Sequence, residues 1–138
     1  MKKDAIITLP NSHLRQKSQR VHVITDETRQ LVADMTSASI DWENSRPHEI
    51  SAALAAVQID QLERVVIVRE DFDDKDNRTF IPLINPEIVK YEGQLVSDYE
   101  GCLSVSGRIY GKVPRYSRIR VKALDINGNT IRLKAVGF

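Results

Sequence analysis

Cysteine is almost missing from this chain. Cys102 is the only one in 138 residues, which excludes an intramolecular disulfide and suits a reducing compartment. Long apolar runs are missing as well: Ala5-Ile-Ile-Thr-Leu9 is too short for a signal-peptide core, and nothing approaches the roughly 20 apolar residues of a membrane span. The expectation is a soluble, cytoplasmic protein with no membrane partner. With only 6 Gly and 5 Pro the chain is neither collagen-like nor low-complexity, and a formal net charge of +1 names no partner in bulk. Histidine is scarce too, and His13, His22 and His48 have no spacing that would let two of them hold one metal from a helix face. What remains is 41% hydrophobic and 28% charged, an ordinary globular composition expected to form one domain over residues 1–138. At this length folding hides about two thirds of the surface, enough for one core.

Local signals give an outline of the fold. Thr25 before Asp26 and Glu27 reads as a helix N-cap with acids in the first turn, and Leu31, Met35 and Ala38 recur at helical spacing. A helix is expected from about Asp26 to Trp42, ending before Asn44-Ser45-Arg46-Pro47. Ala5 to Leu9 fits a short strand or an extended arm. The small apolar run Ala52 to Val57 fits either a short helix or a buried segment where backbones approach closely. Arg64-Val-Val-Ile-Val-Arg69 and Thr79-Phe-Ile-Pro-Leu-Ile84 read as strands joined by a long acidic loop, the second expected near an edge because Pro82 donates no ladder hydrogen bond. Arg118, Arg120 and Lys122 alternate with Ile119, Val121 and Ala123. Asn127-Gly128 then suggests a type I′ turn into an alternating Ile131 to Ala135 strand, a hairpin with one wet face.

Two segments could carry chemistry. Cys102 stands in Glu100-Gly-Cys-Leu-Ser104; a lone free cysteine packs readily as an inert small hydrophobe, so the flanks matter. Gln58 closes the apolar run Ser51-Ala-Ala-Leu-Ala-Ala-Val-Gln58, and a buried amide must pair or lose roughly 1–3 kcal/mol. It is either a structural bridge or a donor aimed at a ligand.

Together these segments resemble the first two motifs of the peptide deformylases, hydrolases that remove the formyl group from the initiator methionine of new proteins. The first family motif, Gly-x-Gly-Leu-Ala-Ala-x-Gln, is matched at Leu54, Ala55, Ala56 and Gln58, with Ser51 and Ala53 in place of the glycines. The second, Glu-Gly-Cys-Leu-Ser, is matched in full from Glu100 to Ser104. Pro10, Leu14-Arg15, Ser18, Asn85-Pro86 and the stretch from Val113-Pro-Arg115 to Asp125 extend the likeness over nearly the whole chain. Ser106 departs from the proline usual after Glu-Gly-Cys-Leu-Ser-Val.

The resemblance implies an α+β, deformylase-like fold: an N-terminal helix packed on antiparallel β-sheets, lacking the C-terminal metal-binding helix. In the family that helix carries His-Glu-x-x-His after a sequence like Ala135-Val-Gly-Phe138, where this sequence stops, so a truncated and inactive chain is expected. The implied roles are Cys102 as thiolate ligand to a divalent metal, ferrous iron with zinc or nickel as substitutes, which this chain alone is not expected to hold. Gln58, through its amide, and Leu103, through its N–H, would stabilise an oxyanion, a role worth roughly 3–4 kcal/mol per donor. Ser51, Ala53 and Gly101 would lie along the substrate. Each of Ser51 and Ala53 would cost around 1 kcal/mol if its position needs a positive φ. Implied partners are N-formyl-methionyl peptides, with ribosome or RNA proximity and self-association through a bared apolar face as further expectations. Two other readings stay open: a deformylase-like protein that binds without catalysis, and a cysteine hydrolase with Cys102 as nucleophile and His48 as base.

Two charged features complete the reading. The loop Asp71-Phe-Asp-Asp-Lys-Asp76 lacks the glycine and distal glutamate of an EF-hand and reads as solvated. Residues 108–138 carry eight basic residues and one acid, an electropositive end that is either a wet hairpin face or a surface for RNA or an acidic protein.

Overall fold

A computed structural model of the chain describes residues 1–105 and 109–137; Ser106, Arg108 and Phe138 lie outside the described residues. Helix α1 spans Asp26–Asn44, two residues longer than its periodicity implied. Thr25 and Thr28 cap each other's backbone N–H reciprocally, so the start falls where the sequence placed it. At the other end Ser45 Oγ donates to the Trp42 carbonyl at 2.6 Å, which lets the helix run on to the residues just before Pro47. Leu31, Met35, Ala38 and Trp42 form its buried stripe.

Five antiparallel strands make one sheet in sequence order: β1 (Ala53–Ala55), β2 (Val65–Arg69), β3 (Phe80–Glu100), β4 (Gly111–Leu124) and β5 (Thr130–Val136). The stripe of α1 packs on Leu54, Val65, Ile67 and Ile84, with Ile6 and Ile59 closing the core. The α+β expectation holds. The Ala52–Val57 run, open between helix and buried segment, is a short strand followed by a 3-10 turn over Ala56–Ile59, which Asp60 ends at φ 60.

Three local expectations change. Thr79 to Ile84 is only the start of a 21-residue strand, and β3 is the central strand, not an edge. Pro82 is tolerated there for a reason of register. Asn85 N donates to Arg64 O and Glu70 N to Thr79 O, so the odd-numbered residues of β3 bond to β2, while residue 82 faces the side where β4 pairs only from Ile84 onward. Asn85-Pro86 lies inside β3, at the first of three register shifts; Asn85 has φ 51, and its side-chain amide exchanges two 2.8 Å hydrogen bonds with the Val21 backbone. The last hairpin is not a type I′ turn, since Gly128 has φ 83 but Asn127 has no positive φ. Gly128 N donates to Asp125 O and Asp125 N to Asn129 O, a three-residue loop closed by a left-handed glycine.

One buried ion pair fastens the helix to the sheet. Arg69, at the end of β2, meets Glu43 of α1 at 3.0 Å with both side chains about 1% exposed. Glu43 also accepts from Ser51 N, and Arg69 also donates to the carbonyls of Ser51 and Lys75. Arg78 and Lys75 reach back from the acidic loop to Glu43 and to the Pro47 carbonyl, so the loop is tied down by its cations. Among the described residues its carboxylates gather no metal cluster. Removing one partner strands a buried charge, so Glu43→Ala and Arg69→Met should each lower the unfolding free energy by about 3–5 kcal/mol, and the double variant by less than the two together. Urea unfolding of the four proteins checks this.

Candidate functional site

Gln58 sits in the 3-10 turn that follows β1, and its amide is oriented by its neighbours. Oε1 accepts from Ala55 N at 2.9 Å, which turns the NH2 group toward the other motif. There Nε2 donates to Ser104 Oγ at 3.0 Å and lies 3.7 Å from Cys102 Sγ. One end of the Gln58 amide thus holds its own turn, and the other crosses to the cysteine segment. Cys102 is exposed, at the head of a turn in which Val105 N donates to its carbonyl.

Backbone from the N-terminal arm secures both segments. Ile7 N donates to Gln58 O at 2.8 Å and Leu9 N to Ser104 O at 2.9 Å, so three residues of extended arm fix the two motifs against each other. Glu100, which opens the second motif, takes both Nε and Nη2 of Arg115 on β4, at 3.0 and 2.8 Å. That paired contact raises the guanidinium's affinity for its proton, against the opposing effect of burial, and pins the end of β3 just before Cys102.

With these two segments in contact, the whole-chain likeness has a physical counterpart. The model of the polypeptide deformylase family matches residues 3–138. This chain belongs to that family. The peptide deformylase of Thermomicrobium roseum is 40% identical over 136 residues, covering 96% of this chain and 72% of that protein. The enzyme named peptide deformylase in Chromohalobacter salexigens is 36% identical across the full chain and 75% of its own length. Among solved structures, the Synechococcus elongatus peptide deformylase in complex with actinonin superposes with a TM-score of 0.84 at 31% identity, covering 96% of this chain and 67% of that one.

The other candidates from the sequence fall in different surroundings in this deformylase-family chain. Ala53 is exposed on β1, an outer strand of the sheet. Ser51 is buried, its N–H bonded to Glu43 and its carbonyl to Arg69, with no partner for Oγ among the described residues. Neither has a positive φ, so the strain foreseen for replacing glycine is absent. Gly101 leaves room for the Tyr110 ring, whose nearest carbon would lie 2.6 Å from an added Cβ. Leu103 is half-buried against the core and borders a cavity of about 290 Å³ with Ile6, Trp42 and Arg46. Among the described residues, none accepts a backbone hydrogen bond from its N–H.

Family membership implies a divalent metal cofactor. The described residues do not fit one by themselves: Cys102 contributes one sulfur, and no three His, Cys, Asp or Glu side chains converge. His13 is engaged with Asp60 at 2.8 Å, and among the described residues Gln58, not a histidine, is the hydrogen-bond partner of Cys102, which removes the support for His48 as a base. Sequence reasoning missed Ser104, Arg115 and the Ile7–Leu9 arm as supports of the site. Ser104 stands within the second matched motif and Arg115 within the further stretch of likeness, but nothing in one sequence pairs residue 104 with 58 or 115 with 100. Gln58→Leu strands the Ala55 N–H and the buried Ser104 hydroxyl together, so a loss of about 1–3 kcal/mol in unfolding free energy is expected by denaturant titration.

Proposed function

We propose that this chain acts on N-formyl-methionyl peptides, with the formyl group held between Gln58, Leu103 and Cys102. The observation that carries the reading is the amide of Gln58, fixed from behind by Ala55 N and presented to Cys102 and Ser104. A carbonyl oxygen that gains negative charge beside the sulfur would meet a donor whose orientation is already set, with no reorganisation during the reaction. The Leu103 N–H is the second donor. Ala53 and its neighbours on the open side of β1 can pair with an extended peptide backbone, the mode by which a free strand edge takes a peptide. Ser51 and Gly101 serve the peptide path indirectly, Ser51 by anchoring the approach to β1 and Gly101 by admitting Tyr110.

Cys102 is the metal ligand in this reading, with ferrous iron as the metal and the cytoplasm as the compartment. One thiolate is too few donors to hold iron selectively, and among the described residues no three His, Cys, Asp or Glu side chains converge to complete a site. Residues 1–138 by themselves therefore bind formyl-peptide without cleaving it. The same donor count favours the second reading, a deformylase-like binding module.

Metal analysis, turnover and calorimetric binding of a formyl-methionyl peptide by the 138-residue chain test both readings. Expected are substoichiometric metal, no turnover, and peptide binding that Gln58→Leu weakens at least several-fold. Stoichiometric iron with turnover would overturn the inactivity, and binding indifferent to Gln58 would overturn the site. A further expectation concerns assembly. Ile88 and Tyr91 are 43% and 57% exposed and share a sheet face with Ile119, Val121 and Leu133, an apolar surface that favours self-association. Sedimentation equilibrium should give a mass above 15.7 kDa that falls when Ile88 is changed to Lys.

A further inference from the structure

The opposite face of the same sheet is basic, and its pattern is a product of register. Arg118, Arg120 and Lys122 occupy alternate positions of β4, and their cross-strand partners on β5 are Val136, Lys134 and Arg132. On β3 the partners of the same three residues are Glu92, Lys90 and Glu87. Cross-strand partners point to the same side, so Lys90, Arg118, Arg120, Lys122, Arg132 and Lys134 form one grid of six cations, all exposed, with two carboxylates among them. Neighbours in the grid stand roughly 5 Å apart across strands and about 7 Å along them.

This arrangement opposes folding. Lys90↔Arg120, Arg120↔Lys134 and Lys122↔Arg132 are like charges directly opposite each other, which destabilises a sheet. Among the described residues, Arg120 alone of the six has its charge answered closely, by Glu92 at 2.6 Å. That hydrogen bond holds the Glu92 carboxyl below the usual carboxylate range, with Lys90 and Arg118 adding smaller pulls in the same direction. Charge is also segregated along the chain: residues 108–138 hold eight basic residues and one acid, leaving twelve basic and eighteen acidic for residues 1–107. A protein of near-zero net charge thus gathers its positive potential on one surface, where a polyanion would be attracted and oriented.

We propose that the exposed face of β3, β4 and β5 carrying Lys90, Arg118, Arg120, Lys122, Arg132 and Lys134 binds the phosphate backbone of base-paired RNA. Shape selects the duplex. None of these six positions or their two carboxylates is aromatic; Tyr116, the next alternate position of β4, lies with its ring 5.2 Å from Tyr91, one pair at the edge and no run of rings on which successive bases of a single strand could stack. Three strands side by side, with strand spacings near 5 Å plus their side chains, are too broad for the B-DNA major groove, about 12 Å wide, which admits one helix or a two-stranded ribbon. The wide, shallow minor groove of A-form RNA, bordered by phosphates, accepts a broad flat cationic face. Recognition is then by backbone and shape, without base readout.

Fluorescence anisotropy of a short labelled RNA duplex, titrated with the 138-residue chain over a range of salt, tests the assignment. Expected is binding at low salt whose logarithm falls against log salt with a slope of about −4, as for the release of counterions from four to five phosphates. Arg120→Gln/Arg132→Gln/Lys134→Gln should weaken binding at least ten-fold and flatten the slope by about 2, while Lys75→Gln, a lysine held to the Pro47 carbonyl away from this face, should not. Glu92→Gln should tighten binding by freeing Arg120, an effect that cannot come from misfolding. No binding at low salt, an unaffected triple variant, or weaker binding by Glu92→Gln would each overturn the proposal. Equal affinity for a B-DNA duplex would overturn the choice of RNA, and equal affinity for polyglutamate would make the face a dock for acidic protein instead.

Discussion

The buried contact between Glu43 and Arg69 is the constraint from which the rest of the site follows. A charged pair in a dry interior is costly to assemble and more costly to leave half-made, so it tolerates few alternatives in geometry. Its extra hydrogen bonds go to backbone: the Ser51 N–H and carbonyl, and the Lys75 carbonyl. Ser51 leads directly into β1, and β1 into the turn that carries Gln58. The C-terminal end of α1, the end of β2 and the approach to Gln58 are thereby held at one point.

From that point the site is built mostly with main chain. Gln58 fixes its own turn through Ala55, then reaches the cysteine segment; the arm adds one hydrogen bond to each segment; Glu100 and Arg115 stop the end of β3 from wandering. These supports are local and few, yet each removes a freedom from the Gln58 amide or from the segment it meets. The design is economical in polar side chains. Among the described residues, Ser39 Oγ, Ser51 Oγ and Arg69 Nε have no hydrogen-bond partner in the interior, two of the three where Ser51 meets Arg69.

The sheet beyond Ile84 has a different character. Near α1 it is one wall of the core, whereas the long extension of β3 with β4 and β5 leaves the helix behind and exposes both faces, one apolar and one cationic. Bulges at three places let β3 turn as it extends, and Gly93, with φ 78, lies within the last of them, where a Cβ would collide with Ser117. A twisted three-stranded blade with chemically opposite sides suits contacts of two kinds at once. That is the physical setting for the self-association and the RNA contact we propose.

Much of this was written in local sequence. Thr25 and the Leu31, Met35, Ala38 spacing determine α1 because capping and 3.6-residue periodicity are short-range effects, and the alternation from Arg118 to Ala135 determines the last hairpin for the same reason. The two matched motifs pointed to the family. Tertiary structure decided what depends on partners distant in the chain: which strand Pro82 could occupy, which way the Gln58 amide faces, that Ser104 and Arg115 support the site, and that six separate cations share one face. Register and hydrogen-bond orientation are set by pairing across 15 to 46 positions of sequence, and no local propensity encodes them.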